Sequence, residues 1–165
     1  MTLFFRMVRT IALAAWAGAL FYFGFIAKVA FQSFDPANAG TMVRGSLQAL
    51  HHLGFYAGLV YLIFTVALLA TQRDSHPARA VELVFIISML ALTVYSQLSV
   101  IPRMETDRLA LGGDVTKAAP TDPAYIHFQR LHGLSVKLEG AVLVEAVVLL
   151  ALAPIHVRED FDRFA

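Results

Sequence analysis

The chain has 165 residues, 58% of them hydrophobic and only 15% charged, with a mean hydropathy of +0.66. A soluble domain is roughly 45–50% apolar and about 25% charged, so this chain carries more apolar surface than a core of its size can hide, and a lipid solvent is implied. A net charge of +1 leaves no basic footprint for nucleic acid, and the lack of cysteine excludes disulfides, thiolate metal sites and Cys nucleophiles.

Roughly 20 helical residues cross a hydrocarbon core, so runs of about 18 or more uncharged residues mark spans. Thr10 to Ala27 supplies 18 such residues, Gly45 to Gln72 supplies 28 and Leu83 to Pro102 supplies 20. The first run exceeds the 7–15 residue apolar region of a secretory signal, so a retained span is expected. A fourth stretch, Leu131 to Ala153, is long enough but carries His132, Lys137, Glu139 and Glu145. The expected fold is all-α, an integral membrane up-and-down four-helix bundle. It forms one domain over residues 1–165, with spans near 10–34, 45–71, 80–102 and 126–153. Asp35 to Arg44 and Gln72 to Arg79 read as turns, and Arg103 to Tyr125 as a loop with one helical turn around Met104–Ala110.

Loop charges orient the bundle. The N-terminus, second connection and C-terminal tail hold six Lys or Arg, and the first and third connections hold four. The positive-inside rule therefore places a multi-pass protein in the cell inner membrane with both termini cytoplasmic. Lipid is the expected partner.

Up-and-down topology brings the C-terminal ends of spans one and three beside the N-terminal ends of spans two and four. That outer end collects Lys28, His51, His52, Gln97, Arg103, Glu105, His127, His132, Lys137 and Glu139. His76 and His156 fall at the other side. Ionisable groups inside spans are costly and usually face the bundle interior. In span four, His132, Ser135, Val136 and Glu139 share a helical face by their i, i+3, i+4, i+7 spacing, and in span two Gln48, His52 and Tyr56 share another. The sharper expectation is that His52 and His132 converge as metal ligands, with His51 and His127 as further candidates. Behind them would stand Glu139, Lys137, Tyr56, Gln97, Arg103, Glu105, Lys28 and Ser135. Such neutral imidazoles would take copper or haem b. The blander expectation treats these histidines as interfacial anchors, since no HExxH or HxxxH pair is present.

Two other functional classes fit: a small transporter or proton-conducting subunit using Lys137 and Glu139, and a non-catalytic assembly subunit. No nucleophile motif, phosphate loop or dinucleotide fingerprint points to an enzyme. Glu82, beside Arg79, reads as solvated. Gly54 and Gly58 form a GxxxG pattern that suits either packing inside the bundle or a homo-oligomer face. The phenylalanines and the single Trp read as lipid-facing bulk and interface belt.

The segment Val100-Ile-Pro-Arg-Met-Glu-Thr-Asp107, with Phe128-Gln-Arg-Leu-His-Gly-Leu-Ser135 after it, resembles the domain-of-unknown-function 4149 family, the group related to transmembrane protein 205. The resemblance implies four spans and a shared feature built from Pro102, Arg103, Glu105, Phe128, His132 and Ser135. It also hints at metal handling, through a link of the eukaryotic branch to platinum-drug resistance, and implies no assigned catalytic activity.

Overall fold

The computed structural model describes residues 2–71 and 77–164, with side chains placed for 2–70 and 79–153. Five α-helices follow in order: α1 (Thr2–Ser33), α2 (Pro36–Thr71), α3 (Pro77–Tyr95), α4 (Ile101–Ala110) and α5 (Pro123–Phe164). A π-helical turn, Ser96–Val100, joins α3 to α4 without a break, and a short 3₁₀ turn, Val115–Lys117, precedes α5. Among the described residues three helical stretches are long and apolar enough to cross a membrane: Thr2–Ser33, Pro36–Ala70 and Arg79–Ala110. The α5 helix is outside that set, its apolar half being interrupted by Lys137, Glu139 and Glu145.

The first connection is shorter than the turn expected from Asp35 to Arg44. Only Phe34 and Asp35 separate the helices, and Pro36, Asn38 and Gly40 belong to the first turns of α2. Asp35 accepts a hydrogen bond from the Asn38 amide (3.1 Å), and proline at the first helical position gives up only a donor that has no partner there anyway. The same chemistry starts α5, where Asp122 accepts from the Ala124 amide (2.8 Å) ahead of Pro123. The helical turn expected near Met104–Ala110 is present as the longer α4. It ends at Gly112 and Gly113, whose φ values of +74° and +89° are accessible to glycine at little cost. The expected second turn and His76 lie outside the described residues over 72–76, and the His156 side chain lies outside them too.

Each of α1, α2, α3 and α5 packs on two neighbours, α1 on α2 and α5, and α3 on α2 and α5, which closes a four-membered ring. The core contains Leu13, Trp16, Leu20, Leu50, Tyr61, Ile86, Met89, Val142 and Leu149. Trp16, expected in an interface belt, is instead only 1% exposed at the centre of that core. Its indole lies in the notch left by Gly54 and Gly58. A Cβ on Gly54 would stand 2.3 Å from Trp16 Nε1, and one on Gly58 would stand 2.8 Å from its ring. The GxxxG stripe is therefore used within the chain, because only glycine lets the α2 backbone approach an aromatic so closely.

Candidate functional site: a buried histidine–glutamate pair beside a cavity

Two buried polar clusters are built into the ring, one toward each end. At the end where α1 and α3 begin, Arg9 of α1 and Glu82 of α3 form a two-pronged ion pair. Arg9 Nη1 donates to Glu82 Oε2 at 2.7 Å, and Nη2 donates to Oε1 at 3.2 Å. Nη1 also donates to Thr65 Oγ1 of α2 (3.2 Å), and the guanidinium lies 5.2 Å from the Tyr61 ring centre. Glu82 was expected in solvent but is 0% exposed. A side chain on the inward stripe of α3 cannot reach water, so its charge is met by Arg9 instead.

At the opposite end the centre is His51, 3% exposed, on α2. Its Nδ1 lies 2.7 Å from Gln97 Oε1 in the π turn, and its Nε2 lies 2.7 Å from Glu139 Oε1 on α5. Ser96 Oγ donates to the same Glu139 oxygen at 3.2 Å. The π turn explains how adjacent residues both serve. Its wider winding, typical of single turns placed at functional positions, lets Ser96 reach Glu139 while Gln97 reaches His51. With an oxygen at each ring nitrogen, the imidazole has a fixed plane and cannot swing.

Next to this pair lies a cavity of about 690 Å³ between α1, α2, α4 and α5. Its walls are mainly apolar, including Phe23, Leu47, Ile101 and Leu143. On the α5 side it is lined by His132, Ser135, Val136 and Glu139, so the face expected from their spacing does form and does look into an interior space. The second carboxylate oxygen of Glu139, Oε2, forms no hydrogen bond. The cavity rim carries Lys28, Arg44, Glu105 and Arg108. There Arg44 bonds Glu105 (2.9 Å), while Arg108 grips it through Nε and Nη2 (both 2.8 Å) and donates to the Gly113 carbonyl (2.9 Å). This set ties α4 and its following turn to α2.

Of the remaining expected site residues, some line the cavity and others turn away from it. His52 is exposed, forms no hydrogen bond and lies outside the cavity wall that His132 lines. A rotation of about 100° per residue turns it away whenever His51 faces inward. His132 is exposed and stacks on Phe128 (6.2 Å between centroids, 6° between planes). His127 Nδ1 meets Asp107 Oδ2 at 2.8 Å near the surface. Lys137, Arg103 and Tyr56 point outward, and Lys28 reaches the cavity rim without an ion pair. Ser135 is buried in the cavity wall. Among the described residues no three His, Asp or Glu side chains are grouped as metal ligands. The donor set of the site, one imidazole and one carboxylate already joined to each other, does not fit copper or a bis-histidine haem.

The model of the DUF4149 family, described as a domain of unknown function, matches residues 11–108. The chain belongs to that family. The matched stretch covers α1 through α4, hence His51, Gln97, Arg103 and Glu105, and stops before α5, so Glu139, Phe128, His132 and Ser135 lie outside it. No curated protein and no solved structure matches the chain.

Two residues that proved central, His51 and Glu82, were ranked low by charge and position alone. The signal for both is heptad spacing. In α2, Leu47, His51, Gly54, Gly58, Tyr61, Thr65 and Leu68 repeat at alternating steps of four and three, and Glu82, Ile86, Met89 and Thr93 of α3 do the same, continued by Ser96 and Val100 of the π turn.

Proposed function

We propose that this is a four-span inner-membrane protein, with both termini cytoplasmic, that binds a small amphipathic molecule in the outer cavity through Glu139. The uncharged runs and three apolar helices support the membrane setting, and α5 serves as the fourth span with Glu139 and Glu145 bonded to groups of the ring. One observation carries the binding reading: a carboxylate that lines an apolar cavity of ligand size has one oxygen taken by His51 and Ser96 and the other without a protein donor. That oxygen has no protein donor and the Glu139 side chain is partly exposed, so a ligand N–H or O–H with an apolar body satisfies both the oxygen and the walls. His51 positions the carboxylate and Gln97 positions His51.

Native mass spectrometry of delipidated protein with dodecylamine as the probe tests this. Wild type is expected to retain one dodecylamine. Glu139→Gln should weaken retention by about ten-fold or more, since hydrogen bonds to charged groups contribute about 1.5–3 kcal/mol. Gly140→Phe, which fills the cavity from a position with open space around its Cβ, should abolish it, and Lys137→Gln should not change it. Retention unaffected by Glu139→Gln and Gly140→Phe would overturn the reading.

A further inference from the structure

The lining of the cavity changes character along the bundle axis. Trp16 of α1 lies against Gly54 and Gly58 of α2, so twelve residues nearer the connecting turn Lys28 stands level with Arg44. Both line the cavity. His51, bonded to Glu139, comes seven residues after Arg44, about 10 Å along the helix. Leu143 lies one turn beyond Glu139 on α5 and lines the cavity together with Leu20 and Phe23. From the rim inward the order is therefore a pair of cations, a carboxylate and an apolar floor.

Most charges at the rim are already met. Arg108 holds Glu105, and Asp114, which also lines the cavity, is met by Lys117 at 3.0 Å. Arg44 bonds Glu105 through Nη1 and keeps 43% of its side chain exposed. Among the described residues Lys28 forms no ion pair. Lys28 and Glu139 thus line one cavity with opposite charges and are not bonded to each other. Cβ atoms tilt toward the N-terminus of their helix. Because α1 runs toward the rim and α5 runs away from it, Lys28 leans inward and Glu139 leans toward the rim, which shortens the gap between them.

A ligand that matches this order carries an anion, a donor close behind it and then an apolar chain. A fatty acid has no donor left for Glu139 once it is ionised. An alkyl amine meets Glu139 but leaves the rim cations without an anion. A phosphate monoester offers three acceptor oxygens to a lysine and an arginine, and a hydroxyl on the neighbouring carbon donates to Glu139 Oε2. We propose, resting on the cavity reading, that the ligand is a single-chain phospholipid with a free hydroxyl. Its phosphate lies at Lys28 and Arg44, its hydroxyl at Glu139 and its acyl chain along Leu20, Phe23 and Leu143. A volume of about 690 Å³ suits one such molecule.

Native mass spectrometry of the delipidated full-length protein tests this, with lauroyl lysophosphatidic acid as the probe beside dodecylamine, dodecyl phosphate and inorganic phosphate. Wild type is expected to retain one lauroyl lysophosphatidic acid. Lys28→Gln should weaken that retention about ten-fold or more while holding dodecylamine, a cation, at least as tightly, and Lys137→Gln should change neither. Dodecyl phosphate lacks the hydroxyl, so wild type should hold it less tightly than the lysolipid, and Glu139→Gln should narrow that difference. Inorganic phosphate at equal concentration should not displace the lysolipid, because it gains nothing from the apolar floor. Displacement by it would assign the rim to free phosphate and overturn the lipid. Dodecylamine retained without the lysolipid, or equal lysolipid retention by wild type and Lys28→Gln, would overturn the ligand class and leave the cavity reading standing. Retention of neither amphiphile would overturn both.

Discussion

Removing one member of the Arg9–Glu82 pair should be the most damaging single change at its end of the bundle. Glu82 is wholly buried and Arg9 nearly so, with side-chain exposures of 0% and 6%. Arg9→Ala leaves the carboxylate without its two guanidinium bonds and removes the cation stacked on Tyr61. Breaking a buried pair from one side costs about 3–5 kcal/mol, because the charge left behind is buried without its counter-ion. In a protein of this size 1 kcal/mol moves a melting midpoint by about 2–4 °C, so a drop of about 6–20 °C is expected in a thermal melt in detergent, followed by Trp16 fluorescence. The double change Arg9→Leu with Glu82→Leu removes both charges together and should recover most of that loss, since apolar replacements of a buried ion pair are often neutral or stabilising. If the double variant melts as low as Arg9→Ala, the pair does not account for the stability of this end, and packing around Thr65 and Tyr61 would have to do so.

Three further outcomes follow from the same packing. Gly54→Ala drives a methyl into Trp16 and should cost about 1–3 kcal/mol by overpacking. Gly140→Ala meets open space and should be neutral or stabilising by about 0.5–1 kcal/mol, so equal melting of the two variants would refute the Trp16 notch. His51→Ala strips the acceptors of Gln97 and Glu139 of their partner and should cost about 1–3 kcal/mol, whereas His52→Ala, at an exposed position, should stay within about 0.5 kcal/mol; the reverse order would place the wrong histidine inward. Asp35 is held below its ordinary carboxylate range by its hydrogen bonds from Asn38. Its contribution is therefore complete above the ordinary Asp value and fades as pH falls through the lowered one, and Asp35→Ala should flatten that acid limb in a pH series of melts.

Much of the architecture was legible in the uncharged runs, because a helix in lipid must satisfy its own backbone and tolerates few charges. The ends were less so. Pro36 and Asn38 read as turn residues, yet behind an aspartate cap they start a helix as readily as they end one, and the choice depends on where the neighbouring helix lets the chain turn. Within the site, Glu139, Ser135 and His132 were placed on one face correctly because three contacts on one helix need only its period. His51 and His52 could not be separated by hydropathy, being adjacent in the same apolar run. Nor does local sequence reveal the π turn at Ser96–Val100, whose extra winding depends on the pull of Glu139 and His51 from other helices.

The seams resolve what hydropathy alone could not. Arg9, Leu13, Trp16 and Leu20 in α1, and Ser135, Glu139, Val142, Ala146 and Leu149 in α5, follow the same alternation of three and four that runs through α2 and α3. Nearly all of the ionisable side chains buried in the two clusters lie on one of these seams, and Lys28, His52, Tyr56, Arg103 and Lys137 lie off them. A residue in a seam faces three other helices, so a charge there persists only with a partner supplied from another helix. A charge off the seam needs no partner and carries no positional information. Glu145 breaks the rule in an informative way. It sits one residue before the seam position Ala146, near enough to reach Ser88 but without a charged partner. A carboxyl at that position joins α5 to α3 through a neutral hydroxyl where Glu82 joins α3 to α1 through a cation, so the bond at Glu145 leaves its charge without a counter-ion.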